Sequence, residues 1–313
     1  MLLDFRAILR IRAALRKSTF DIIHFHNGRT ALLAAIAHSL AGRGRLIFTQ
    51  HFISPAHDAT SGILRFIKRL IHRWVDFQTD RVIAISRAVL EAALRRNPNL
   101  SVKIVQVWNG IQDPVKQAST APKTSKLVSC DFYDIKLLCV ARLEAEKGLP
   151  NLLNCISHLR STKRRIHCWV AGGGSQRNLL EQQCKELGIE DEISFLGHRE
   201  DVLDLIVEAD IIVLPTPNES FGLALVEAMA SAKPVIAMAA GGPLEIVEHG
   251  HSGLLVAPND PVALGIAIVQ LADDRGLRQR LGVEARERYV TSFTAVRMAE
   301  ETRRVYETAM TTA

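Results

Sequence analysis

Short runs rich in β-branched and aromatic residues recur along the whole chain: DIIHFH, LIFTQH, RVIAIS and KIVQVW early, then KLLCVA, HCWVAG, ISFLG, IIVLP, PVIAM and GLLV. Helical patterns fill the spaces between them. Strands that alternate with helices return to one sheet in parallel through crossover connections, so the expected class is α/β and doubly wound. The alternation lapses between Gln112 and Lys136 into the polar stretch DPVKQASTAPKTSKLVSCDFYD, which reads as an interdomain linker. The expected organisation is therefore a domain over 1–112, a linker over 113–134, a second domain over 135–290 and a C-terminal helix over 291–313.

Charge divides along the same line. Residues 1–136 hold 21 Lys+Arg against 9 Asp+Glu, a formal +12, whereas residues 137–313 hold 18 against 24, a formal −6. The two halves are built for different electrostatic partners. No run of about 18 uncharged apolar residues occurs, and the start, MLLDFRAILRIRAALRK, carries Asp4 and five basic residues without a signal-peptide core. A cytoplasmic protein is expected. The five cysteines (Cys130, Cys139, Cys155, Cys168, Cys184) form no CxxC pair and read as reduced packing residues. Within SGILRFIKRLIHRWV the apolar positions keep helical spacing, and Arg65, Lys68, Arg69 and Arg73 stand between them. Such a helix is either an ordinary amphipathic element or one that lies peripherally on an anionic membrane surface.

In open parallel sheets, ligands bind beyond the carboxyl ends of the strands, where loop backbones and helix N-termini converge. The stretch PTPNESFGLALVEAMASAKPVIAM carries one such end. IIVLP reads as a strand ending at Leu214, and a helix follows NESFG. The amides from Phe221 through Gly222 to Leu223 then form a cradle for a phosphate. Glu219 in the loop and Glu227 on the helix can accept hydrogen bonds from two sets of hydroxyls beside it. In CVARLEAEKG, Arg142 and Lys147 share one loop after another strand and suit a pyrophosphate. Gly197 and His198 lie at a further strand end. In the first half, His24 and His26 alternate on a strand and His51 ends FTQH; the three could meet in the manner of a metal site, or serve structural and substrate-contacting roles.

Taken in order, DIIHFHNG, FTQH, VIAIS, VWNGI, ARLEAEKG, VAGGGSQ, ISFLGHRED, NESFGLALVE with its E-x7-E spacing, and AMASAKPVIAMAAGGPLEIVEHGHSGLLVAPND resemble the retaining family 4 glycosyltransferases. That resemblance implies the GT-B architecture of two Rossmann-like domains, with an acceptor on the N-terminal one and a nucleoside diphosphate sugar on the C-terminal one. It implies that Arg142 and Lys147 hold the donor diphosphate, together with the backbone of Phe221, Gly222 and Leu223. Glu219 is implied as a catalytic contact to the sugar, Glu227 as the ribose ligand, the Gly197–His198 loop as the base side, and His51 as a histidine facing the reacting centre. It further implies chemistry without a metal or other cofactor.

The expected activity is transfer of a hexose to a glycan or lipid-linked acceptor in cell-surface polysaccharide biosynthesis. The alternatives are a non-catalytic nucleotide-sugar binding protein and another GT-B activity such as a sugar-nucleotide epimerase. No nucleic-acid partner is expected. Family members open with strand-helix units ahead of the segment matched here by LLDFRAILRIRAALRK. The N-terminal domain is therefore expected to be incomplete by roughly 60 to 80 residues, and the chain to bind a nucleoside diphosphate yet fail as a transferase.

Overall fold

The structure, a computed structural model, describes residues 4–17, 19–26, 28–42, 44–53, 62–114, 134–162 and 164–311, and at 29 and 63–65 the backbone. Most of the stretch expected as a linker, with Cys130, falls outside the described residues, as does the side chain of Arg65. The chain forms two compact units: Met1–Asn109 together with Val296–Ala313, and Gly110–Ala295.

In the first unit the order is α1 (Phe5–Lys17), β1 (Ile22–His26), α2 (Gly28–Ala41), β2 (Arg45–Gln50), α3 (Gly62–Gln78), β3 (Arg81–Ala84), α4 (Arg87–Arg96) and β4 (Ile104–Gln106). The four strands pair in parallel in the order β1-β2-β3-β4. A sheet that advances steadily in one direction through right-handed crossovers places α2, α3 and α4 on one face. Strand periodicity accounts for the core. Phe25, Leu46, Phe48 and Val82 meet Leu32, Val75 and Ala93 of these helices, while Ile47, Ile83 and Val107 face the other way. Ser86 starts α4 by accepting a hydrogen bond from the Val89 amide at 3.1 Å.

The second unit runs β5 (Ile135–Val140), α5 (Leu149–Leu159), β6 (Ile166–Ala171), α6 (Arg177–Leu187), β7 (Ile193–Gly197), α7 (Val202–Glu208), β8 (Ile211–Leu214), α8 (Leu223–Ala230), β9 (Val235–Met238), α9 (Pro243–Ile246), β10 (Leu254–Val256), α10 (Pro261–Asp273) and α11 (Arg275–Ser292). Its parallel sheet is ordered β10-β9-β8-β5-β6-β7. This is the doubly wound arrangement expected from the alternation, with the direction of winding reversing between β5 and β8. The described cysteines, Cys139, Cys155, Cys168 and Cys184, are buried in this core. Burial pushes the Cys139 and Cys155 thiols up to about 12 and that of Cys184 up to about 11, so they pack as apolar groups.

Both units secure a strand start in the same way. Asp80 accepts the Leu46 amide at 2.7 Å, and Asp210 accepts the Lys136 amide at 2.9 Å. Cations close helix C-termini in both as well. The Lys103 Nζ donates to the carbonyls of Phe77 and Thr79 after α3, and the Lys233 Nζ donates to that of Ala209 after α7. The last helix, α12 (Ala295–Thr311), contributes Val305 and Ala309 to the second face of the first sheet, against Ile47, Ile83 and Val107.

Candidate functional site

The winding reversal between β5 and β8 opens a crevice at their carboxyl ends, and two loops line it: 141–148 and 215–222. Their packing depends on Gly148, which has φ +68°; a Cβ there would lie 2.3 Å from the Pro215 carbonyl oxygen. Across the crevice the Lys147 Nζ donates to the Glu219 Oε2 at 2.7 Å, with the two side chains only 18% and 15% exposed. The second carboxylate oxygen of Glu219 accepts the Ser220 amide at 3.1 Å. Behind this loop the Gly242 amide donates to the Glu219 carbonyl at 2.8 Å, and a Cβ on Gly242 would meet the Phe221 Cα at 2.4 Å. The AAGGP segment thus braces NESF from below, a role that sequence reasoning did not assign to Gly241 and Gly242.

Helix α8 begins at Leu223 after Gly222, whose φ of +111° suits glycine and whose side-chain position offers no cap. The amides of Leu223 and Ala224 have no acceptor among the described residues, so the helix start presents two free N–H groups. Phe221 is buried, with its ring edge-on to Phe293 at 6.1 Å, and can offer a ligand only its backbone. One turn into the helix, the half-buried Glu227 carboxylate makes no hydrogen bond or ion pair among the described residues. Burial raises its pKa.

Arg142 is exposed at the rim and pairs with Glu146 at 2.9 Å. Beside it the glycine run after β6 is laced onto the same loop. Glu144 accepts the Ser175 amide at 3.1 Å and its hydroxyl at 2.8 Å, bonds that hold the Glu144 carboxyl below the usual range. A Cβ on Gly174 would lie 2.4 Å from the Leu143 carbonyl oxygen. Gly172 donates its amide to the Gly197 carbonyl at 2.7 Å, which ties down the end of β7 and leaves His198 exposed beyond it. Arg199 fixes that loop through two hydrogen bonds to Asp201, at 2.7 and 2.5 Å. The structure thus brings Lys147 and Glu219 together before Gly222 and Leu223, with Glu227 farther along α8, while Gly172 links the end of β7 at Gly197 to the loop that carries Arg142.

The first unit holds a histidine cluster. His24 and His26 present their rings 4.4 Å apart, and the His26 Nδ1 shares a hydrogen bond with the His51 Nε2 at 2.9 Å. Strand alternation had placed His24 and His26 on one face. It could not supply the partners of His24, whose two ring nitrogens bond the Tyr306 hydroxyl of α12 and the Thr49 hydroxyl, each at 2.7 Å. With both nitrogens engaged, His24 has no lone pair to spare for a metal. Burial, with His26 and His51 adding to it, lowers the His24 pKa to about 4; burial and His26 lower that of His51. His24 is therefore neutral at pH 7. The β1-β2 register sets His24 opposite Ile47 and His26 opposite Thr49, so the His24–Thr49 contact runs diagonally, two positions along β2.

Comparison with known proteins agrees with this geometry. A family model described as Glycosyl transferases group 1 matches residues 133–288, and one described as Glycosyltransferase Family 4 matches residues 1–113. The chain is similar to an uncharacterised glycosyltransferase of Methanocaldococcus jannaschii, with 27% identity over 93% of this chain and 76% of the other. It is also similar to a glycogen synthase of Mycobacterium tuberculosis, with 29% identity over 91% of this chain and 68% of the other. Among solved structures, Anabaena HepE in complex with UDP-glucose shares the fold at a TM-score of 0.83 and 22% identity, over 96% of this chain and 82% of that one. With two parallel-sheet units and a crevice at the winding reversal of the second, the chain belongs to the family 4 glycosyltransferases of GT-B architecture.

Proposed function

We propose that the protein transfers a hexose, with retention of configuration, from a nucleoside diphosphate sugar to a glycan or lipid-linked acceptor. We place the reaction on the cytoplasmic side of a membrane, in assembly of cell-surface polysaccharide. The observation that carries the donor assignment is the Lys147–Glu219 pair beside the free amides of α8. A diphosphate reaching this crevice would exchange the Glu219 carboxylate for its own oxygens on Lys147. It would then be held by Lys147, Arg142 and the amides at Leu223 and Ala224, all of which carry positive or partly positive charge. Those groups stabilise the charge that builds on the leaving diphosphate, so the proposed chemistry requires no metal. Glu219, released, contacts the sugar, and Glu227 accepts from the ribose hydroxyls.

In the transfer step the sugar–phosphate bond breaks and a bond to the acceptor oxygen forms on the same face. The proton of the acceptor hydroxyl passes to the departing diphosphate oxygen. We assign His51, with its ring held by His26, to the reacting sugar. Incubation with labelled UDP-glucose, the ligand of the HepE structure, and other labelled nucleoside diphosphate hexoses tests the reading against a panel of glycan and lipid-linked acceptors. A new glycoside of retained anomeric configuration supports it. Free sugar alone, an epimerised donor, or nucleotide binding with no product from any donor and acceptor refutes it.

A further inference from the structure

A helix that only covers a sheet needs apolar side chains, and α12 supplies them as Val305 and Ala309 against Ile47, Ile83 and Val107. Tyr306 adds a polar group to that face. It belongs to the same compact unit as β1, and its hydroxyl bonds the His24 Nδ1 at 2.7 Å, with its ring edge-on to the imidazole at 5.6 Å. Burial raises the Tyr306 pKa, so the phenol keeps its proton. A phenol is a stronger donor than an alcohol; Tyr306 therefore donates to Nδ1, and the His24 Nε2–H donates to the Thr49 hydroxyl at 2.7 Å. That fixes one tautomer. Tethered at both nitrogens, the His24 ring cannot turn, and it lies tilted by 30° against the exposed His26 with ring centres 4.4 Å apart. His26 in turn bonds the His51 Nε2 through its Nδ1, at 2.9 Å.

We propose that Tyr306 is a positioning residue for sugar transfer: through His24 it holds His26, and through His26 it fixes the angle at which His51 offers its Nδ1 to the reacting sugar. This role rests on the assignment of His51 to that sugar and carries it back to α12. Because Nε2 of His51 is shared with His26, Nδ1 is the nitrogen left to it. The shared bond has a second effect. While both rings are neutral, one of its nitrogens carries the proton and the other accepts it, so His26 and His51 take the same tautomer, both Nδ1–H or both Nε2–H. A catalytic side chain is effective only when its own neighbours lock its orientation. His26 is exposed, and without a fixed ring beneath it nothing but the His51 bond would hold its side chain. Packing alone does not account for the hydroxyl, since a phenylalanine at this position would cover the sheet equally well.

Nitrogen NMR of the full chain, labelled in histidine and held at about pH 8 with no donor or acceptor, reads the tautomers. Expected are Nε2–H for His24 and one common tautomer for His26 and His51. In Tyr306→Phe, which keeps the ring, His24 should lose its single tautomer and the His26 and His51 signals should average. In the transfer assay with labelled UDP-glucose and the other labelled nucleoside diphosphate hexoses, the same variant should lower kcat roughly three- to tenfold, the worth of one neutral hydrogen bond, with the donor KM unchanged. Thr49→Val should act in the same direction, and Thr49→Ser, which keeps the hydroxyl, should not. Val305→Ala loosens the same helix without touching His24, so it should lower the melting temperature and leave kcat and the histidine signals as they are. If the wild type transfers sugar and Tyr306→Phe keeps full kcat, or Val305→Ala lowers kcat as much, the role given to Tyr306 is overturned while the proposed function stands. Different tautomers for His26 and His51 in the wild type overturn it too, because the bond that carries the orientation is then absent. A wild type that transfers no sugar overturns both, since nothing is left to position.

Discussion

Lys147 and Glu219 were each legible as strand-end residues, because an open parallel sheet concentrates function there. Their pairing with one another across 72 positions was not, since a side-chain contact between two loops depends on how glycine lets those loops approach. The pairing makes the two residues separable by experiment. Lys147→Ala removes a charge-assisted contact of roughly 1.5–3 kcal/mol, so calorimetry should show at least a tenfold loss of affinity for a free nucleoside diphosphate. Glu219→Gln frees the ammonium from its competitor, and the same titration should show affinity retained or raised while transfer falls. Glu227 allows a pH test. Burial raises its folded-state pKa above 4.5, so the folded protein holds that proton more tightly than the unfolded chain. The associated stability is full below about pH 4.5 and is lost as pH rises through the folded value. Glu227→Gln should therefore melt higher than wild type at pH 7, on the order of 2 °C, with the gap closing near pH 4, and should bind nucleotide more weakly.

At the scale of elements, the strands were readable to within a residue or two, and the ten described match the ten runs picked out by β-branched and aromatic content. Periodicity was less informative for α3. It shows that a helix has two faces but not which one the sheet will claim, and here Val75 faces inward while the larger aromatic stripe is left outside. The final helix was visible as a helix. Its contribution of Tyr306 to His24 was not, because the two are 282 positions apart. Loop contacts carry a prediction at this scale. Gly148 lies where α5 starts, and a Cβ would strike the Pro215 carbonyl. Gly148→Ala forces a left-handed φ on alanine and separates the two crevice loops, which should cost roughly 1–3 kcal/mol and reduce nucleotide affinity in proportion. Urea unfolding and calorimetry on one preparation would show both losses. An unchanged midpoint would mean that the loops do not depend on this contact.

At the scale of the whole molecule, the second unit has its own six-stranded sheet, its own buried core and the crevice loops. Residues 110–295 alone should therefore unfold in one cooperative transition and bind a nucleoside diphosphate within about threefold of the full chain, roughly 0.6 kcal/mol; a molten fragment would show that the core needs the rest of the chain. The neutral pairing within the crevice has one more consequence. With Lys147 matched by Glu219, this pair behaves as an ion exchanger, not as a trap for anions. A stray phosphate gains little, because taking the lysine strands a carboxylate in a poorly hydrated place. Only a molecule that brings an anion for Lys147 and hydroxyls for Glu219 satisfies both halves of the exchange. On the proposed reading, this selects an intact nucleotide sugar over its spent diphosphate.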